Sequence, residues 1–272
     1  MAIHPTAIIS PSAELGENVE IGPYAVIEDN VKIGDNSFID AHVKICRYTT
    51  IGKNCRIYLG ALIGEEPQDH RMKPGIKSFT KIGDNANIRE YVTIHRSPFE
   101  NGSTEVGEGT LLMAFCHVGH DAKIGNHVTC ANHTTIAGHV VIDDKAVLSA
   151  YIMIHQFVRI GELAMVSPAT KIRQDIPPYA LVSDQGYVCG SNVVGLRRAN
   201  LTQDERLAIK KVFKLFFFRG LNTINATKEF ESCDYQTEHT RKIVDFIHKT
   251  ERGILPPDPE LVALGSKIHF DE

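Results

Sequence analysis

The chain has 272 residues, a formal charge of −4, 7% aromatic residues and no tryptophan. Its pI of about 6.4 excludes the basic excess that supports non-specific nucleic-acid binding. The longest apolar stretch, "AVLSAYIMI", falls far short of the ~18 residues a membrane span needs, so no stable membrane insertion is expected.

The opening "MAIHPTAIIS" lacks a basic segment followed by a long apolar one, so no secretory signal is expected. The six cysteines (Cys46, Cys55, Cys116, Cys130, Cys189, Cys233) contain no CxxC pair. They read as free thiols in a reducing cytoplasm. From Ile3 to Ile63 every sixth residue is Ile or Leu, and the fifth residue of each complete hexad is Ala, Val, Ser, Thr or Cys. The phase returns at Ile82, Ile88 and Ile94, then runs unbroken from Val106 to Ile172, for 26 anchors in all. Alternation suits a half-buried strand and a 3.6 period a helix; a period of six suits neither alone. It predicts short parallel strands on the flat faces of a three-sided coil, with the aliphatic anchor inward. Three hexads make one coil, so the repeat predicts about nine coils stacked ~4.8 Å apart.

Residues 65–81 and 97–105 interrupt the phase and read as loops projecting from the prism, a common location for binding groups. The prism is expected to end at "DIPPYA", where Pro177 and Pro178 deny strand pairing. After a connecting stretch through Arg198 the period becomes helical. Thr202 and Glu205 have capping-box spacing ahead of "RLAIKKVFKLFFFRG", which stops at Gly220. "ATKEFESC" and "EHTRKIVDFIHKTERG" predict two more helices, and the tail "PPDPELVALGSKIHFDE" reads as irregular. The expected architecture is therefore mainly β: a parallel β-helix over residues 1–180, then a C-terminal segment, 181–272, with a helical domain.

The coil gives meaning to "FCHVGHDAKIG", residues 115–125. His120 is third in its hexad, as are Gly138 one coil on and Gln156 two coils on. These three should stack at one corner, ~5 Å apart. Glycine leaves its N–H open to a ligand, and such an N–H can support a developing oxyanion. Imidazole titrates near ~6.5, so a neutral His120 could serve as a base with Asp121 orienting it. A surface histidine with no role is the plain alternative. The grouping of His95, His117, His120, Asp121, His139 and His155 weighs against it. A metal site fares worse, because His127, His133 and His139 fall on three different faces. Cys116 sits at the inward small-residue position and reads as buried filler rather than a nucleophile.

The hexad pattern resembles that of the hexapeptide acyltransferases, a resemblance that implies a left-handed β-helix and a homotrimer. "IGEEPQD", "REYVTIHR", "CHVGHDAKIG", "TTIAGHVVIDD", "IHQFVRIG", "RQDIPPYALV" and "NVVGLRRANL" occur in that order. Together they are similar to the UDP-N-acetylglucosamine O-acyltransferase family over nearly the whole chain. That resemblance implies transfer of a (R)-3-hydroxyacyl group from acyl carrier protein to the 3-position of the UDP-sugar, the first step of lipid A biosynthesis. The acceptor could equally be the 3-amino analogue.

By the same resemblance His120 is the general base, Asp121 its partner and the Gly138 N–H the oxyanion donor, with neither cofactor nor metal. Asp69, His117, His139 and Gln156 match residues that contact the sugar or acyl chain. Gln68, His155, Asn192 and Arg198 match nucleotide or phosphate contacts, and a guanidinium suits phosphate. Three positions depart from the family pattern. "QDHRMK" lacks the usual lysine after QD, so Arg71 or Lys73 must stand in; Val194 replaces a frequent glutamate; and Lys171 occupies the position that limits acyl length. A CoA-dependent acetyltransferase, a β-helix metalloenzyme and a non-catalytic scaffold are the competing classes.

Overall fold

The computed structural model describes residues 2–264. Two-residue strands repeat along the chain and assemble into three sheets. Face A has eleven strands, from Ala2–Ile3 to Val188–Ser191. Face B has nine, from Ile8–Ile9 to Lys171–Ile172. Face C has eight, from Glu14–Leu15 to Arg159–Ile160. Consecutive strands step from A to B to C, so each pairs in parallel with the strand one coil away: Ile21 with Ile39, Ile27 with Ile45, Ile33 with Ile51. The fold is a left-handed parallel β-helix with a helical C-terminal part.

The hexad explains why so short a strand holds. Each anchor (Ile27, Ile39, Ile45, Ile57, Ile63, Ile88, Ile94) is fully buried in the prism, and so are the small residues Ala25, Val31, Val43 and Ala61. Each buried aliphatic side chain contributes about 1.5–3 kcal/mol. A polar residue at the small position is satisfied internally: the Ser37 hydroxyl donates to the Gly52 carbonyl and accepts from the Cys55 N–H. The corners turn through left-handed residues, among them Asn18, Asn36, Asp121, His133 and His139.

The prolines do not end the prism. Ile176 bridges Ile160 in parallel, and Ala180–Val182 pairs in parallel with Met165–Val166. Pro177 and Pro178 fall in the turn before that strand, where no ladder N–H is required of them. Only then does Val188–Ser191 return antiparallel.

The stretch through Arg198 holds a short helix, α1 (Val193–Arg198), whose N-cap Asn192 accepts from the Gly195 N–H. Helix α2 (Gln203–Phe213) has the expected Thr202–Glu205 capping box and runs into a π-helical turn, Lys214–Phe218, ahead of Gly220. Helices α3 (Thr223–Glu231) and α4 (Glu238–His248) follow. The tail is not wholly irregular: Pro259–Leu264 forms α5, and residues 265–272 lie outside the described residues. Its first turn gains an N-terminal acceptor, since Asp258 Oδ1 takes the Glu260 N–H at 2.9 Å.

Arg159 joins coil to helices. Its guanidinium lies 4.0 Å from the Phe246 ring centroid and donates to the Phe246 and Lys249 carbonyls, where α4 leaves acceptors unpaired. All six cysteines are free thiols. Among the described residues no helix is long and apolar enough to cross a membrane.

Candidate active site

Both interruptions of the repeat leave the prism at one edge. The first joins Leu62–Glu65 of face B to Phe79–Ile82 of face C, and the second joins Thr93–His95 of face B to Ser103–Val106 of face C. His120 turns the same B–C edge on the next coil, so the loops converge on it.

His120 is set between two carboxylates. Its Nδ1 lies 2.9 Å from Asp121 Oδ2 and its Nε2 lies 3.3 Å from Asp69 Oδ2. Asp121 is itself fixed, its N–H donating to Thr104 Oγ1 at 2.8 Å. Asp69 is clamped by Arg71, whose Nη2 donates to Oδ2 at 2.6 Å and whose Nε and backbone N–H reach Oδ1 at 3.0 and 2.8 Å. The Arg71 guanidinium beside it holds the Asp69 carboxyl well below the usual carboxylate range. Arg71 also lies over the Phe99 ring at 5.2 Å.

Gly138 stands one coil beyond His120. A Cβ there would come within 2.6 Å of the imidazole Cε1 and Nε2, so glycine at 138 leaves the ring where it stands and any larger residue would move it. Its neighbours spend their amides on the coil, Ala137 on the Ile154 carbonyl and His139 on the His120 carbonyl. The His139 ring meets His120 edge-on at 5.1 Å and stacks on Phe157 at 4.7 Å. Burial lowers the His139 pKa, against the opposing pull of Asp121.

A second imidazole pair lies on face B. His95 and His117 meet edge-on at 5.0 Å, and His117 Nδ1 is 2.8 Å from Thr93 Oγ1. Burial, helped by His117, pushes the His95 pKa down to about 4, and burial lowers that of His117. Both rings therefore sit neutral near pH 7.

Further along the edge, His155, Gln156 and Lys171 line a cavity of about 490 Å³ with Met153 and Arg173. Asn192 and Arg198 are elsewhere. They border a cavity of about 790 Å³ with Lys145, Leu163, Met165 and Val194, on the outer half of face A beside the C–A edge. Face A lies opposite the B–C edge, so one chain does not bring these residues to His120. Gln68 and Lys73 are exposed on the first loop. Cys116 is buried, its thiol donating to the Ala131 carbonyl and pushed up to about 11 by burial.

His120, Asp121 and His139 place one ligand atom each within 4.8 Å of one another, close enough to hold a metal ion. Sequence reasoning names all three as site residues but not as one ligand set, and it does not name Phe99, Thr104 or Phe157. Phe157 was within reach, since it follows His139 by one coil.

Residues 175–255 match the family model for UDP-N-acetylglucosamine O-acyltransferase, domain 2. Residues 30–65 and 103–138 match that of the bacterial transferase hexapeptide. The chain is 44% identical over 258 residues to an acyl-[acyl-carrier-protein]–UDP-N-acetylglucosamine O-acyltransferase of Halorhodospira halophila, covering 93% of this chain and 98% of the relative. A relative of that description from Paracidovorax citrulli is 47% identical, with coverage of 93% and 98%. Among solved structures, the UDP-N-acetylglucosamine acyltransferase of Francisella novicida superposes with a TM-score of 0.89 at 37% identity over 96% of each chain. That of Bacteroides fragilis gives 0.89 at 40% identity, over 93% of this chain and 99% of its own.

Proposed function

The chain belongs to the UDP-N-acetylglucosamine O-acyltransferase family and is an acyltransferase, and on that premise we propose the following reaction. A (R)-3-hydroxyacyl group passes from acyl carrier protein to the 3-position of UDP-N-acetylglucosamine or its 3-amino analogue, opening lipid A biosynthesis. The observation that carries this reading is His120, held at Nδ1 by Asp121 and lying directly beneath Gly138.

The hydrogen bond to Asp121 keeps the proton on Nδ1 and leaves Nε2 as the acceptor. The sugar's 3-hydroxyl takes the place at Nε2 now filled by Asp69, and gives up its proton as its oxygen attacks the thioester carbonyl. The negative charge moves to the carbonyl oxygen, opposite the Gly138 N–H. Collapse expels the thiolate of the carrier, which recovers the proton from His120. The product is an ester, or an amide when nitrogen attacks. Asp121 stabilises the imidazolium between the two steps. Asp69, His117, His139 and Gln156 hold the sugar and acyl chain, Arg71 positions Asp69, and Lys171 closes the acyl groove.

The nucleotide contacts Asn192 and Arg198 lie on the face opposite this edge, which supports a site shared between chains. The B–C edge of one copy would meet the outer half of face A of the next, as in a homotrimer. His155 and Gln68 would reach the nucleotide from the edge side.

The test is a paired assay with one (R)-3-hydroxyacyl carrier protein and the two acceptors, 3-hydroxy and 3-amino, products identified by mass. One acylated UDP-sugar is expected. If neither acceptor is acylated while acetyl-CoA serves as donor, the reading fails.

A further inference from the structure

The two loops of the B–C edge are laced together at their roots. Ser78 Oγ donates to the Ser97 carbonyl at 2.6 Å, the Phe79 N–H to the Gly102 carbonyl at 2.9 Å and the Asn101 N–H to the Lys77 carbonyl at 2.8 Å. On the other limb of the first loop, Glu66 pairs with Arg96 at 2.9 Å. Asp69 and Arg71 lie beyond these ties, on a turn that the Met72 N–H closes on the Asp69 carbonyl at 3.1 Å. There the contact with the second loop is of another kind: Arg71 lies over the ring of Phe99.

Core packing does not account for an aromatic residue at 99, because Phe99 is 42% exposed. Its backbone is nevertheless fixed. The Phe99 N–H donates to Ser97 Oγ at 3.1 Å, and the Phe99 carbonyl accepts the Gly102 N–H at 3.0 Å. The ring is thus presented on a short turn, with the Arg71 guanidinium 5.2 Å from its centroid and the His139 ring 6.3 Å away. His139 has a second support in Phe157, stacked on it at 4.7 Å and 6°. Losing the ring at 99 would therefore bear on Arg71 more than on His139.

A guanidinium suits this place because it is planar. Its edge forks onto the Asp69 carboxylate, Nη2 at 2.6 Å and Nε at 3.0 Å, which leaves a face for the ring. A cation–π contact holds out to ~6 Å from the centroid and has no single direction. Arg71 can therefore shift across the ring without losing it. That freedom matters because Asp69 stands 3.3 Å from His120 Nε2, where the sugar's 3-hydroxyl must come. Asp69 has to give way there without leaving the site. We propose that Phe99 is a positioning residue: acting through Arg71, it keeps Asp69 at the mouth of the site and so sets the affinity for the sugar acceptor. Phe99 itself touches no reacting atom. The inference rests on the reading of Asp69 as a sugar contact and adds the residue that holds it.

Steady-state kinetics on full-length Phe99→Leu test this. KM for the UDP-sugar should rise about 2- to 30-fold, the range a cation–π contact spans. KM for the acyl carrier protein donor and kcat should stay within about twofold, and the melting temperature should not move. Phe99→Tyr, which keeps the ring, should restore the wild-type KM. In an Arg71→Gln background, Phe99→Leu should cost nothing more. An unchanged KM, a Tyr variant no better than Leu, or a full further loss on top of Arg71→Gln would each overturn the proposal. So would a loss that comes with a lowered melting temperature. Amide hydrogen exchange over residues 66–75 in substrate-free protein tests the tie apart from the reaction. Phe99→Leu should speed it, and unchanged exchange would overturn the tie itself. Faster exchange, together with a wild type that acylates neither UDP-sugar, would overturn the sugar reading of Asp69 and uphold the tie.

Discussion

Gly138 and His120 are in steric register: a methyl group on residue 138 would fall 2.6 Å from the imidazole Nε2. The backbone at residue 138 could accept alanine, so the obstacle is the ring alone. Gly138→Ala should displace that ring and lower kcat about 10²-fold, the usual cost of misplacing a reacting group by ~1 Å. The melting temperature should change little. Steady-state kinetics and a thermal melt on one preparation check both halves.

Asp121→Asn keeps the shape of the side chain but removes the charge that fixes the His120 Nδ1 proton. A roughly 10²- to 10⁴-fold loss of kcat is expected, with KM for the UDP-sugar nearly unchanged. An equal loss appearing only in KM would place Asp121 in binding instead.

His95 gives a stability signature. Its folded pKa lies at about 4, below the ordinary value of 6.5, because burial and His117 disfavour the cation. The unfolded chain therefore binds a proton over that window while the folded chain does not. Stability is fully present above about pH 6.5 and declines as pH falls towards 4, by up to about 3 kcal/mol. Urea titrations across pH 4–7 should show this slope, and His95→Gln should flatten it.

Lys171 follows His117, Thr135 and Met153 as the outward residue at the far end of face B, Met153 pairing with Lys171 across one coil. Lys171→Gly should shift the preferred thioester to longer chains, read as the ratio of kcat/KM across donors of graded length. An unchanged ratio would remove Lys171 from the groove.

The trio His120, Asp121 and His139 could close on an ion, yet Arg71 already brings a fixed positive charge to the Asp69 that faces His120. Chelator should leave activity within twofold, and added zinc should inhibit by occupying the base. Loss of activity on chelation, restored by one metal equivalent, would assign the site to metal chemistry.

The coil was legible because one short rule, an aliphatic residue every sixth position, fixes which side chains point inward and which residues share an edge. That rule alone put His120, Gly138 and Gln156 in one column. It was silent on Asp69, Arg71 and Phe99, whose loops leave the phase and whose approach to His120 depends on how those loops fold back. The double proline misleads because proline denies a ladder N–H, whereas Pro177 and Pro178 occupy a turn that requires none. Helix α1 was missed because six residues are too few for a helical period, and its start depends on the Asn192 side chain bonding Gly195. The separation of Arg198 from His120 needed the order of all three faces, which emerges only once the sheets are traced.

The fixed rise of the coil makes distance along the molecule a counted quantity. Removing one 18-residue turn between His120 and Lys171 would preserve every edge and bring the two closer by ~4.8 Å. Removing six residues would rotate all that follows by one face and part Lys171 from the site altogether. On the proposed acyl groove, chain length would then change by whole turns or by single outward side chains.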